Sequence, residues 1–98
     1  MQRLKHANTH HLQTQTKDIQ QYLDIQKSLL MIIQNTVEKL KKKHHSYDEW
    51  YLKHLLEDYY DNGVNLWSTA KEWDRYLEEY ISEINQQCDT DIAITMYV

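Results

Sequence analysis

KDIQQYLDIQKSLLMIIQNTVEKLKKK, residues 17–43, decides the fold class. Ile19, Leu23, Gln26, Leu30, Ile33, Val37 and Leu40 follow one another at alternating steps of four and three. That is a heptad seam with one polar member, Gln26. Leu29 and Ile32 widen the apolar face beyond a two-stranded seam, so the middle of this segment should meet neighbours on more than one side. Thr16 is a candidate N-cap, Asp18 sits in the first turn and Lys41, Lys42 and Lys43 sit in the last. Both ends suit the helix dipole.

Two further helices follow. Ser46-Tyr47-Asp48-Glu49 has the form of a capping box directly after the lysine-rich end of the first helix. The second helix is predicted over 47–61, with Leu52, Leu55, Leu56 and Tyr59 as its buried stripe. Asn62-Gly63 supplies residue types that tolerate a left-handed C-cap. A third helix is predicted over 65–87, because Leu66, Ala70, Trp73, Leu77, Tyr80 and Ile84 form a second heptad-like seam. The alternative is one long second helix, 47–87, bent at Gly63. Short connections favour antiparallel neighbours. The expected fold is therefore all-α, a three-helix up-down-up bundle.

The chain has 98 residues, no Pro and one Gly. A chain of this size forms one small domain with a thin margin of stability. The first 15 residues are polar and read as a mobile arm, and residues 16–98 as a single helical domain. The first helix outreaches the second, so apolar surface is left over, and dimerisation through that helix is the expected remedy. Residues 89–98 end the chain as an extended tail. Ile92, Ile94, Met96 and Val98 alternate with Ala93, Thr95 and Tyr97. The tail could pack on the overhanging first helix, pair with a second copy, or add to a sheet edge of a partner. Met96-Tyr97-Val98 also has the form of a C-terminal ligand. Candidate oligomer or tail contacts are Leu23, Leu30, Ile33, Val37, Leu40, Ile92, Ile94, Met96 and Val98.

The longest apolar run, residues 29–33, is far short of the ~20 residues that cross a bilayer. The N-terminus lacks the apolar core of a signal peptide. Cys88 is alone, so no internal disulfide forms, which fits a reducing compartment. The expected location is the cytoplasm, with no membrane contact.

Net charge is −4 but unevenly spread: residues 1–45 carry +5, residues 46–83 carry −7 and residues 84–98 carry −2. Between Tyr47 and Tyr80 lie six of eight Tyr and all three Trp. Asp48, Glu49, Glu57, Asp58, Asp61, Glu72, Asp74, Glu78 and Glu79 are interleaved with them. Tyr and Trp pair an apolar body with a polar tip and are enriched at protein interfaces. Adjacent pairs such as Trp50-Tyr51 and Tyr59-Tyr60 cannot both point into one core, so some rings should be exposed. The bland reading is a core of aromatics with a solvated acidic face. The functional reading is a binding surface for a basic patch, with the carboxylates, Trp50 and Tyr60 as its contacts.

Other constellations point less far. Lys39 and Lys41–Lys43, with Arg3 and Lys5, could contact phosphate, but they also complement a helix end and have no interleaved aromatics. His6 and His10, with His11, His44, His45 or His54, lack the spacing of a structural zinc site. No metal or cofactor is expected. Gly-rich loops, nucleophile elbows and metal-hydrolase patterns are absent from the sequence. A Cys88–His54 nucleophile and base can be drawn without local support.

In size, helicity and charge the chain is similar to phage-encoded anti-defence inhibitors, anti-CRISPR proteins among them, and to small helical immunity proteins. No motif enters that similarity. The expected function is a non-enzymatic inhibitor or immunity-type protein whose acidic, Tyr/Trp-rich helices block a basic, nucleic-acid-binding type of surface on a target protein. The alternatives are a structural or adaptor subunit that self-assembles through its heptad seams, and a nucleic-acid-binding protein using its basic half.

Overall fold

The computed structural model describes residues 9–43, 45–67 and 69–96, with side chains of the first helix described from Asp18 onward. Three helices follow in order: α1 (Thr9–Lys42), α2 (Ser46–Val64) and α3 (Ala70–Cys88). The all-α, three-helix reading holds. Asn62 of α2 meets Tyr22 and Gln26 of α1, while Cys88 of α3 meets Val37 of α1. Thus α2 runs antiparallel to α1 and α3 runs parallel to it, up-down-up.

The helix limits differ from expectation, each for a local reason. α1 starts at Thr9, so residues 9–15 continue the helix that was expected to begin near Lys17. Extending an existing helix costs little, and residues 9–16 contain no Gly or Pro to stop it. The remaining arm residues, 1–8, lie outside the described residues. Ser46 is already helical, and His45 holds the extended N-cap geometry with no side-chain capping bond. The expected capping box therefore does not form there. A side-chain N-cap forms one helix later. Thr69 caps α3, its Oγ1 accepting from the Glu72 backbone N–H at 3.4 Å. Leu66 accordingly lies in the connection rather than in α3.

Gly63 neither breaks α2 nor adopts the left-handed conformation; α2 continues through it to Val64. Its role is steric. A Cβ at residue 63 would stand 2.3 Å from Trp73 Cζ2. Trp73 is fully buried, and its Nε1 donates to the Tyr60 carbonyl at 2.9 Å. The bare backbone of Gly63 is the seat on which the indole lies. Asn62 is likewise no helix stop. Its Nδ2 donates to the Tyr22 carbonyl at 2.8 Å and to Gln26 Oε1 at 3.0 Å. This explains the one polar member of the α1 seam: Gln26 and Asn62 satisfy one another where α2 crosses α1.

The core is built from Ile33, Val37 and Leu40 of α1, Leu52, Leu55, Leu56, Tyr59 and Tyr60 of α2, and Trp73, Leu77, Ile81, Ile84 and Cys88 of α3. The α1 seam is thus buried only in its C-terminal half. α1 is about 51 Å long at 1.5 Å per residue and α2 about 28 Å. The molecule measures 52 Å in its longest dimension, the length of α1 itself. Ile19, Leu23 and Ile25 remain exposed on the overhang.

The tail closes the core instead of covering that overhang. Asp89 ends α3 in the left-handed conformation, and the Thr90 N–H reaches back to the Asn85 carbonyl. The Asn85 side chain then acts as a one-residue strand partner. Its Oδ1 accepts from the Ile92 N–H at 2.8 Å and its Nδ2 donates to the Ile92 carbonyl at 3.0 Å. Thr90 Oγ1 donates to the same Oδ1 at 2.8 Å. Both backbone groups of Ile92 are therefore satisfied while its side chain, 6% exposed, completes the core. Ile94 and Met96 pack partly buried behind it, so the predicted alternation is kept without a sheet. Val98 lies outside the described residues. Replacing Asn85 with Ala should leave the Ile92 N–H and C=O without protein partners. A loss of about 1–3 kcal/mol is expected in urea unfolding.

Candidate binding surface

α2 has two apolar stripes, and only one is used by the core. Leu52, Leu55, Leu56, Tyr59 and Tyr60 face inward. On the outer side, Tyr47 is 68% and Trp50 58% exposed, with Tyr51 beside them. These rings are organised. Tyr47 and Tyr51 stack with centroids 6.3 Å apart and planes 5° from parallel. Trp50 meets the His54 imidazole edge-on at 4.4 Å. His54 Nδ1 lies 3.2 Å from Glu57 Oε1. The spacing 47, 50, 51, 54, 57, 58, 61 is that of one helix face, so Asp58 and Asp61, both exposed, continue the stripe. The result is an aromatic half near the α2 N-terminus and an acidic half toward its C-terminus. Stacked rings are held in place by their neighbours and lose little freedom on binding, which suits them as anchors.

The other expected site residues divide. Asp48 and Glu49 are half-buried at the start of the stripe, where Glu49 and Trp50 share a depression with Ser46, Lys53 and tail residues Asp91, Ile92 and Ala93. Glu72, Glu78 and Glu79 are exposed on α3. Asp58 and Asp61 border Ile25 and Leu29 of α1, whereas Glu72 and Glu78 border Met96 of the tail. The acidic residues therefore flank the bundle on separate sides and do not make one continuous face. Tyr60 and Asp74 are buried, which removes both from the exposed surface. Tyr60 turns inward because α2 presents the Tyr59–Tyr60 edge to Trp73; Asp74 turns inward next to that same Trp73. Of the proposed oligomer contacts, Ile33, Val37 and Leu40 are used within the bundle, Leu30 is half-buried and Leu23 remains exposed.

A second aromatic group was not separated out by sequence reading. Trp67, Tyr76 and Tyr80 line up with Trp73 and Tyr59; Trp67 and Tyr76 lie 5.9 Å apart and Tyr76 and Tyr80 6.2 Å. Trp67 and Tyr76 are partly exposed beside Leu23 and Leu66. The signal was the i, i+4 pair Tyr76 and Tyr80 on α3. Burial, reinforced by Tyr76, pushes the Tyr59 phenol well above the usual tyrosine range; burial and then Tyr76 raise Tyr80. The folded state thus holds these protons more tightly than the unfolded chain. Their contribution is complete below about pH 10 and is lost as pH rises above it. In alkaline titration followed by tyrosinate absorbance, a fraction of the tyrosines should ionise only together with the loss of helix.

The remaining chemistry is sparse. Burial raises the Cys88 thiol, with Lys41 opposing and Glu38 adding to the effect. Its Sγ donates to the Val37 carbonyl at 3.8 Å. That environment works against thiolate formation. Among the described residues, no three His, Cys, Asp or Glu side chains converge as metal ligands, and no helix is long and apolar enough to cross a membrane. His6 and the His10 and His11 side chains lie outside what is described. Lys39, Lys41, Lys42 and Lys43 are exposed at the end of α1, with Lys41 paired to Glu38 at 3.2 Å. Compared with protein-family models, curated proteins and solved structures, the chain matches none.

Proposed function

We propose that this is a non-enzymatic binding protein, an inhibitor or immunity-type module of the anti-defence kind, that covers a basic surface of a target protein. The carrying observation is the second stripe of α2: exposed, mutually stacked aromatics continued by Asp58 and Asp61. Exposed rings in contact with one another and rimmed by charge are characteristic of interaction sites. The rings supply anchors and, for arginine or lysine on the target, cation–π faces. The carboxylates steer a basic partner to them. Such a basic surface is of the kind that holds nucleic acid, and the protein works where its target does, in the cytoplasm.

Affinity capture from the organism's lysate, followed by mass spectrometry, tests this reading. One basic, nucleic-acid-handling protein, captured by the wild type and not by Trp50→Ala, is expected. Recovery of the same proteins by both would overturn it.

A second reading, self-assembly, is favoured by the uncovered Ile19, Leu23 and Ile25 of α1. A homodimer through the overhang would bury them. Light scattering should then give twice the chain mass, falling to the single-chain mass when Ile19 and Leu23 become Glu.

A further inference from the structure

Asp74 is 8% exposed and neither of its carboxylate oxygens has a hydrogen-bond partner. Removing a carboxylate from water without a donor costs several kcal/mol. Lys71 and Arg75 line the same depression, of ≈ 510 Å³, together with Glu72, Glu78 and Met96. Neither cation bonds to Asp74. Beside the site lies the tail at Met96. It is fastened by Asn85 at residues 90–92, but no hydrogen bond ties residues 93–96 to another described residue. Met96 is held by packing alone.

We propose that Asp74 is the seat for an arginine side chain of the bound protein, with Glu78 one turn on at its mouth and Met96 as the cover that the arginine displaces. The arrangement suits a guanidinium. Its weak hydration and planar fork fit a partly desolvated carboxylate beside a thioether better than a strongly hydrated ammonium does. A bare divalent cation would need six or more oxygen ligands, and Glu72, Asp74 and Glu78 cannot supply them. The proposal deepens the reading of a basic target and rests on it for the carrier of the arginine. It adds a contact on α3, a different helix from the one that carries the stripe, and gives the tail a part in binding.

The test uses the full chain and N-acetyl-arginine amide as probe, followed by NMR of backbone amides and methionine methyls. Saturable shifts are expected at Asp74, Glu78 and the Met96 methyl. Asp74→Asn, close to isosteric, should weaken binding about tenfold or more. Glu83→Gln, exposed on α3 and outside both surfaces, should leave it unchanged. Met96→Ala should tighten it by opening the cover, an effect that a purely structural Asp74 would not produce. Equal affinity in wild type and Asp74→Asn, or shifts spread over all surface carboxylates with none at Met96, would overturn the proposal. The titration needs no captured target, so its failure is separable from failure of the α2 stripe to bind one.

Discussion

Gly63→Ala should destabilise the protein by about 2 kcal/mol, the opposite of what helix propensity dictates. Residue 63 is inside α2, where Ala is favoured over Gly by about 1 kcal/mol. The new methyl, however, would fall 2.3 Å from Trp73 Cζ2 and 2.4 Å from Cε2. These ring atoms cannot give way cheaply. Trp73 is fully buried, its Nε1 is bound to the Tyr60 carbonyl, and Tyr59 and Trp67 lie against the ring at 5.3 and 5.0 Å. Overpacking of this kind costs about 1–3 kcal/mol, and the fixed ring places Gly63 at the upper end. The sign should reverse when the ring is gone. In a Trp73→Leu background, itself less stable than the wild type, Gly63→Ala should raise stability by about 0.5–1 kcal/mol. Chemical denaturation of the four chains of this double-mutant cycle isolates the coupling. Additive effects would mean that Gly63 has no steric part in seating the indole.

The second large effect concerns binding. Reversing Asp58 and Asp61 to Lys together with Trp50→Ala should weaken capture of the target by roughly 100-fold or more, since a single aromatic anchor is commonly worth 2 kcal/mol or more. The charge reversals act mainly on the association rate and fade as salt rises; the loss of Trp50 acts on dissociation. Folding should change little, because Trp50, Asp58 and Asp61 are all exposed. Surface plasmon resonance at two salt concentrations separates the two contributions. An unchanged affinity in folded protein would count against the α2 stripe.

Much of the fold was legible because its signals are local. The heptad of α1, the lysine run that ends it and the Leu52/Leu55/Leu56/Tyr59 stripe of α2 each lie within a few turns of helix. What was not legible depended on residues distant in sequence. Gly63 reads as a helix stop until Trp73, ten residues on, is seen lying across it. Gln26 reads as a flaw in an apolar seam until Asn62 is placed opposite. Thr69-Ala70-Lys71-Glu72 carried a capping-box signature of the same kind as Ser46–Glu49, and only the geometry distinguishes the one that caps. The aromatic and acidic content of the candidate surface was plain from residues 47–80. Which rings and carboxylates face outward was not, because the choice between Trp50 and Tyr60, or between Glu78 and Asp74, follows from how α2 and α3 are rotated against Trp73 and the tail. The alternation of Ile92, Ile94 and Met96 left open whether the tail packs on the first helix, pairs with a second copy or adds to a partner's sheet. Its partner is the single side chain of Asn85, which no periodicity reveals.

The most direct measurement of the central claim is hydroxyl-radical footprinting of the protein alone and bound to its captured target. Tyr47, Trp50 and Tyr51 are exposed and should react readily in the free state. On binding, their oxidation should fall several-fold, while the basic end of α1 at Lys39–Lys43 stays open to acetylation. Full reactivity of Tyr47 and Trp50 in the complex, with Lys39–Lys43 shielded instead, would contradict binding through the aromatic and acidic stripe of α2.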